Sequence, residues 1–551
     1  MITSTMMDHP LSTRMIFERG ERLFADSRVI GFDGTATSTL SFAQVAERAR
    51  RLAAALAALG LERGEALGTY CWNTPAHLEA YLAVPAMGGV LHTLNVRLPQ
   101  NQLEYVIAHA DDRVLLVDEA LLDALAPALP SLPGVRHVIV NGACPDRIEG
   151  FGGGVHCYED LIAAHAPMAD FPALAETQAA AVCYTSGTTG MPKGVVYSHR
   201  SVYLHSLASM AADAFAISNR DRILMVPPMF HANAWGMPYS GWLAGSDLIL
   251  PGRFLQPAHM ARLIEETRPT LMAAVPTILN DLLQAHAATP LDLSSFRTIV
   301  SGGSAVSPVL IDRVKATWGV NVVQGWGMTE TSPMCVLSHP PRDAAPEEET
   351  AWRAKSGRPV PGMHVRIVDD SDQPLPEDGE TTGHLQLKGP WVSGGYYREE
   401  PHASPLTADG WLRTGDVGRI DRLGFVQVTD RAKDLIKSGG EWISSVELES
   451  AIAALPGVIE IAVIAVPDPR WEERPLAVVV LDSASPTDPA TLRAGLLGAF
   501  ARYMIPEYWA VVESLPRTSV GKVDKKKIKE QFDGGDLAVL AETRFGSGDR
   551  N

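Results

Sequence analysis

"AAAVCYTSGTTGMPKGVVYSH" spans residues 179–199. Its first five residues form a short apolar run that stops at a glycine-rich segment, which predicts a buried strand ending in a loop. From Thr185 to Gly194 the loop carries four hydroxyls, three glycines and Lys193. Glycines let backbone N–H groups turn toward one point, and hydroxyls and an ammonium add donors, so the segment reads as an anion cradle suited to phosphate. It is not a Walker A loop, which needs G-x-x-x-x-G-K-[ST]. Counted from Gly187, the second glycine position holds Pro192, and Lys193 is followed by Gly194. A bare Gly/Ser/Thr cluster is usually a surface turn; the strand before it and the lysine at its end favour the phosphate reading.

Outward from this loop the same theme repeats. "LMAAVP" (271–276), "TIVSGG" (298–303) and "NVVQGWG" (321–327) are short apolar runs entering turns, two of them rich in glycine. "EALGTYC" (65–71) and "RVLLVD" (113–118) read as strands, with "PAHLEAYLAVPAMGG" (75–89) helical between them. "SFAQVAERARRLAAALAALG" (41–60) predicts a helix: Ser41 and Gln44 make a capping box, and Gly60 follows its end. Such alternation means an α/β fold with largely parallel sheets, whose ligands sit beyond the carboxyl ends of strands. "HVRIVDD" (364–370), "GHLQLKG" (383–389) and "GFVQVTD" (424–430) suggest a more antiparallel unit. Near residue 431 the pattern changes to a compact α+β unit: a helix from Ser444–Ser445, strands "EIAVIAVPD" and "PLAVVVLD", and a helix over "PATLRAGLLGAFARYM" (489–504). The closing "DGGDLAVLAETRFGSGDRN" (533–551) is expected to be loosely held.

Composition narrows the class. At 551 residues the chain exceeds one ordinary core, so at least two domains are expected. A hydrophobic content of 46% with 20% charged residues is globular. A net charge of −17 argues against nucleic acid, whose phosphates demand a basic surface. Five scattered cysteines without a C-x-x-C pattern fit reduced thiols in a cytoplasm and argue against a zinc site. No apolar run is long enough to span a bilayer, and the first residues have no apolar core of signal-peptide type.

Seven segments in order, "YTSGTTGMPKG", "PMFHANAW", "VSGGSAVSP", "GWGMTETSP", "GWLRTGDVG", "DRAKDLIKSGGEWIS" and "PRTSVGKVDK", make the chain resemble the adenylate-forming superfamily of acyl-CoA synthetases, adenylation domains and luciferases. Within it the chain is most similar to bacterial medium- and long-chain fatty-acyl-CoA synthetases and methylmercaptopropionate-CoA ligases. The resemblance implies a large N-terminal domain of packed α/β sheets with a small barrel-like subdomain over 1–430, a hinge at 431–436, and a small mobile C-terminal α+β domain over 437–551. It implies an ATP-dependent, AMP-forming acid–thiol ligase using Mg²⁺ and coenzyme A, cytoplasmic and homodimeric, without a transmembrane segment. Other readings are a short-chain or sulfur-containing acid, an adenylating enzyme or luciferase-like oxidase that never uses CoA, and a nucleotide-sensing module without chemistry.

Residue roles follow from the same resemblance. Thr185, Ser186, Gly187, Thr188, Thr189 and Lys193 would hold the departing pyrophosphate. Gly302, Gly303 and Ser304 would let the backbone approach adenine or the acyl carbonyl, and Gly325, Trp326 and Gly327 would flank adenine. Thr329 would contact the α-phosphate and Glu330 would hold Mg²⁺. Asp416 would accept the ribose hydroxyls, with Arg431 beside it. His231, Trp235, Gly327, Met328 and Pro333 would line the acyl site, Trp235 as its gate. Lys433 matches the hinge, and Gly439, Gly440, Glu441 and Trp442 would meet CoA. Lys522, His231 and Thr185 would act in the chemistry. Lys525, Lys526, Lys527 and Lys529 read as a solvated helix face.

Overall fold

A computed structural model describes residues 3–185, 191–399, 404–432, 434–438, 441–482, 487–518 and 522–541. Among these residues the chain forms four sheets. In a seven-stranded sheet, Ala179–Tyr184 lies between Val90–Thr93, to which it is parallel, and Gly194–Ser198, to which it is antiparallel. The glycine-rich segment therefore joins the two strands of a hairpin. A nine-stranded sheet carries Arg222–Leu224, Leu271–Ala274, Thr298–Gly302 and Val322–Gly327 in parallel register at its centre. The strands His364–Val368, Gly383–Lys388, Leu412–Ile420 and Val426–Arg431 form an antiparallel four-stranded sheet, as expected. The fourth sheet begins after Arg431 and is centred on Glu472–Leu481.

Two helices explain how the large sheets come together. In Pro75–Ala86 every residue from Ala76 on is buried, and in Met237–Ala244 every residue is buried. A helix without a solvated polar face lies inside the protein, and the one carboxylate of Pro75–Ala86, Glu79, is paired there with Arg48. These helices fill the layer between the sheets with Phe42–Ala58, whose Phe42 stacks on Trp242 at 4.0 Å between ring centroids. Phe42–Ala58 starts at the expected capping box of Ser41 and Gln44. The carboxyl ends of both parallel sheets then open onto one cleft.

Three expectations need correction. The helix at Pro489 ends at Gly495, because Gly498 takes φ +91° and a bridge joins Leu497 to Phe500. Of the closing segment expected to be loosely held, Val539–Ala541 pairs antiparallel with Tyr508–Val511 at the sheet edge, while 542–551 lie outside the described residues. Lys525 is not on a solvated face: its ammonium lies 2.8 Å from Glu449 Oε1 and both side chains are largely buried. Lys526, paired with Glu530, is exposed as expected. No helix among the described residues is long and apolar enough to cross a membrane. All five cysteines are free.

Candidate active site

A cavity of about 890 Å³ lies between the carboxyl ends of the two parallel sheets. The nine-stranded sheet supplies His231, Gly302, Gly303 and the run Gly325–Glu330; the seven-stranded sheet supplies Arg97, Thr185 and Lys193. The antiparallel sheet adds Thr414, Gly415 and Arg431, and the small C-terminal unit adds Lys522. Trp235 and Pro333 also line it, so the cavity gathers residues from Arg97 to Lys522. Ser304 is exposed and outside the lining. Ser186, Gly187, Thr188, Thr189, Lys433, Gly439 and Gly440 lie outside the described residues, as do the side chains of Glu441 and Trp442.

The glycines have a packing reason that the sequence did not disclose. Gly302 and Gly325 are register partners on adjacent strands. A Cβ on Gly302 would stand 2.9 Å from Gly325 O and 3.4 Å from Trp235 Cη2, and one on Gly327 would meet Pro333 O at 1.7 Å. Gly303 has φ +85°, the left-handed region that glycine adopts at little cost, and a Cβ there would be 3.2 Å from Lys522 Cε.

At one end of the cavity, Trp326 Nε1 donates to Asp416 Oδ2 at 2.8 Å, and Arg431 Nε lies 3.4 Å from Asp416 Oδ1. Asp416 and Arg431 face each other in register. Burial raises the Asp416 carboxyl above its ordinary range, with Arg431, Trp326 and Lys522 opposing. Asp416 thus orients a flat indole and a guanidinium that both face the cavity. Glu330 is buried, and its Oε1 accepts from the Tyr396 hydroxyl at 2.6 Å. Burial and the adjacent carboxylate push the Tyr396 hydroxyl up, so it remains a donor. Lys193 pairs with Glu399 at 2.9 Å and sits 4.7 Å from the Tyr396 ring centroid. Tyr396 and Glu399 were missed by sequence reasoning; paired tyrosines after Gly394–Gly395 were the available signal.

At the other end Phe215, Val226, Val300, Leu337 and Trp235 make an apolar wall. Trp235 is presented by a left-handed turn: Ala232, Asn233, Ala234 and Trp235 have φ of 42°, 50°, 48° and 59°. Left-handed geometry costs about 1–2 kcal/mol per non-glycine residue. The segment that leads into the turn is held by Asn73 and Tyr81. Asn73 Oδ1 accepts from Met229 N at 2.8 Å, its Nδ2 donates to Met225 O and Pro227 O, and Tyr81 hydrogen-bonds Met229 O.

His231 and Lys522 stand where the two ends meet. Burial, with the charges of Lys522 and Arg97, lowers His231 to about 3, so its imidazole is neutral at pH 7. Burial and Arg431 lower Lys522 to about 8, with Asp416 opposing. No cluster of three or more His, Cys, Asp or Glu able to hold a metal exists among the described residues. A single buried carboxylate facing the cavity suits Mg²⁺, which keeps waters and substrate phosphates as its other ligands.

Residues 17–397 match the family described as AMP-binding enzyme, and residues 447–522 match the AMP-binding enzyme C-terminal domain. The chain is 44% identical over 537 residues to a long-chain-fatty-acid–CoA ligase of Thermus thermophilus, covering 96% of this chain and 97% of that one. It is 40% identical over 536 residues to a 3-methylmercaptopropionyl-CoA ligase of Ruegeria pomeroyi, covering 96% and 98%. The fold is similar to a crystal structure of the anthranilate CoA ligase AuaEII in complex with anthranoyl-AMP, with a TM-score of 0.87 and 25% identity over 96% of this chain and 99% of that one.

Proposed function

We propose, on the premise that the chain belongs to the AMP-binding enzyme family, that this cavity activates a medium- or long-chain fatty acid and passes it to coenzyme A. The chain is an AMP-forming acyl-CoA ligase. One observation supports the choice of acid: a single chamber is lined both by apolar side chains, Trp235, Phe215, Val226, Val300 and Leu337, and by the cations Lys522, Lys193 and Arg431. An amphiphile with a carboxylate head meets both demands at once.

In the first half-reaction the carboxylate oxygen attacks the α-phosphorus of ATP and pyrophosphate leaves. Lys522 stands between the two anions, and neutral His231 offers the carboxylate a hydrogen bond without adding charge. Thr185 and Lys193, with Ser186, Gly187, Thr188 and Thr189, receive the pyrophosphate; Lys193 exchanges Glu399 for it. Trp326 stacks on adenine, Asp416 and Arg431 hold the ribose, and Thr329 meets the α-phosphate. Glu330 would hold Mg²⁺, which neutralises charge on the phosphate oxygens. In the second half-reaction the CoA sulfur attacks the acyl carbon, AMP leaves and the thiol proton goes to solvent. Residues 431–436, with Lys433, would be the hinge that exchanges Lys522 for Gly439, Gly440, Glu441 and Trp442. A cytoplasmic homodimer completes the reading, as the sequence resemblance implies.

A short sulfur-containing acid is the second reading, because the 40% identity to the Ruegeria pomeroyi ligase is close to the 44% of the fatty-acid ligase. A panel of acids from C3 to C18, including 3-methylmercaptopropionate, assayed for AMP and thioester, decides between them. One methylene changes binding by only about 1–3 kcal/mol, so the whole kcat/KM profile is needed. A maximum at medium or long chains is expected; a maximum at the sulfur acid favours the second reading, and AMP without thioester excludes a CoA ligase.

Trp235 controls admission of the acid in this scheme. Trp235→Ala is expected to change KM for the acid about ten-fold while leaving KM for ATP within two-fold, since one lost aromatic contact is worth about 1–2 kcal/mol. Equal changes in both constants would make it a plain core residue.

A further inference from the structure

Lys522 can reach the cavity only if the small C-terminal unit is docked on the large one. Besides Lys522 at Gly303, a polar docking contact surrounds the start of the helix Ser445–Ala453. Asp430, at the end of the strand Val426–Arg431, is 2% exposed. Its Oδ2 accepts from Ser445 N at 2.6 Å and from the Ser445 hydroxyl at 2.7 Å, while its Oδ1 accepts from Arg431 N at 2.7 Å. Ser445 opens the helix Ser445–Ala453 of the C-terminal unit and is fully buried. The same hydroxyl oxygen accepts from Lys525 Nζ at 2.6 Å, and that ammonium pairs with Glu449 at 2.8 Å. Beside it the Ser444 hydroxyl donates to Thr429 O at 2.6 Å, and Arg419 pairs with Glu447.

The chain of donors is consistent throughout. Lys525 donates to Ser445, and Ser445 donates to Asp430. Asp430 and Ser445 are buried and the Lys525 side chain is 20% exposed, so opening the contact strands a carboxylate until water reaches it. Lys525 lies three residues beyond Lys522, at the start of the helix Lys525–Asp533. Whatever fixes Lys525 therefore fixes the short stretch 522–524 from which Lys522 reaches Gly303.

We infer that Asp430, Ser445 and Lys525 are positioning residues that latch the C-terminal unit in the arrangement that puts Lys522 into the cavity. The inference rests on the two-step reading above. Because the contact joins residues before the 431–436 segment to residues after it, any large rotation about that segment breaks the relay. The latch then serves acyl-AMP formation and must be released before thioester formation. Burial opposes, and Glu449 and Asp430 favour, the Lys525 ammonium, which is held above its ordinary range and so remains a cation at working pH.

The test separates the half-reactions. Acyl-AMP formation is followed by ATP–pyrophosphate exchange with acid and without CoA; thioester formation is followed from synthetic acyl-AMP and CoA. Ser445→Ala and Asp430→Asn are expected to slow exchange about ten-fold or more, with thioester formation within two-fold of wild type or faster. Lys525→Met should behave alike, and Lys526→Ala, one residue away and exposed, should change neither step. Thermal melts confirm that each variant is folded. Folded Ser445→Ala and Asp430→Asn enzymes with unchanged exchange, or with both half-reactions reduced alike, would overturn the latch. Wild-type enzyme that shows no exchange with any acid would instead overturn the functional reading, so the two failures are distinguishable.

Discussion

Lys522→Ala is expected to lower acyl-AMP formation from acid and ATP several hundred-fold while thioester formation from ready-made acyl-AMP stays near wild type. Two anions must approach in the first step, and their repulsion is a large part of the barrier. A cation held between them offsets charge as the pentacovalent phosphorus forms, and losing one such contact costs on the order of 3–4 kcal/mol. The site is built for this: the Lys522 side chain lies against Gly303, facing Arg431 and Asp416. Burial and Arg431 have already lowered its affinity for the proton to about 8. The charged form is present below that value and is lost above it. The kcat/KM for adenylation, which reports the free enzyme, should therefore fall as pH rises through about 8. Thioester formation should show no such alkaline limb from this group. A Lys522→Ala enzyme that exchanges pyrophosphate normally would end the assignment and leave Lys522 as one more lysine of a basic run.

Asp416→Ala should reduce kcat/KM for ATP about a hundred-fold with KM for the acid within two-fold. The carboxylate accepts the Trp326 indole N–H at 2.8 Å and faces the Arg431 guanidinium. Removing it leaves a half-buried donor without an acceptor and a half-exposed cation without its counter-charge, which together with the lost ribose contact is worth about 3 kcal/mol. Both stranded groups line the end of the cavity assigned to the nucleotide, so the loss should fall on ATP. Steady-state kinetics with each substrate varied in turn, alongside a thermal melt, decide the matter. An acid KM that moves as far as the ATP term would show that the two ends of the cavity are not separate sites.

The layers of this protein were legible because their signals are local. An apolar run stopping at Thr185, a capping box at Ser41 and Gln44, and strands 364–368 and 383–388 each announce themselves within a few residues. Backbone propensity and hydrophobic period act over that range. The order of seven motifs added the family and many of the residues that line the cavity. The helix expected over 489–504 failed for the complementary reason: its apolar pattern continues past Gly495, but the positive φ of Gly498 turns the chain.

What the sequence by itself determined was which residue types are available: a hydroxyl- and glycine-rich loop, a tryptophan in an apolar segment, carboxylates and a late lysine. Only the tertiary structure decided which of them meet. Trp326 reaches Asp416 across 90 residues, and Glu330 reaches Tyr396 across 66. Lys525 leaves the exposed lysine run for a buried pair with Glu449, and Ser304 drops out of the cavity its glycine neighbours line. Such pairings depend on how helices such as Pro75–Ala86 and Met237–Ala244, buried on every side, set two sheets against one cleft. Packing of that kind is a property of whole layers in contact, so no short window of sequence encodes it.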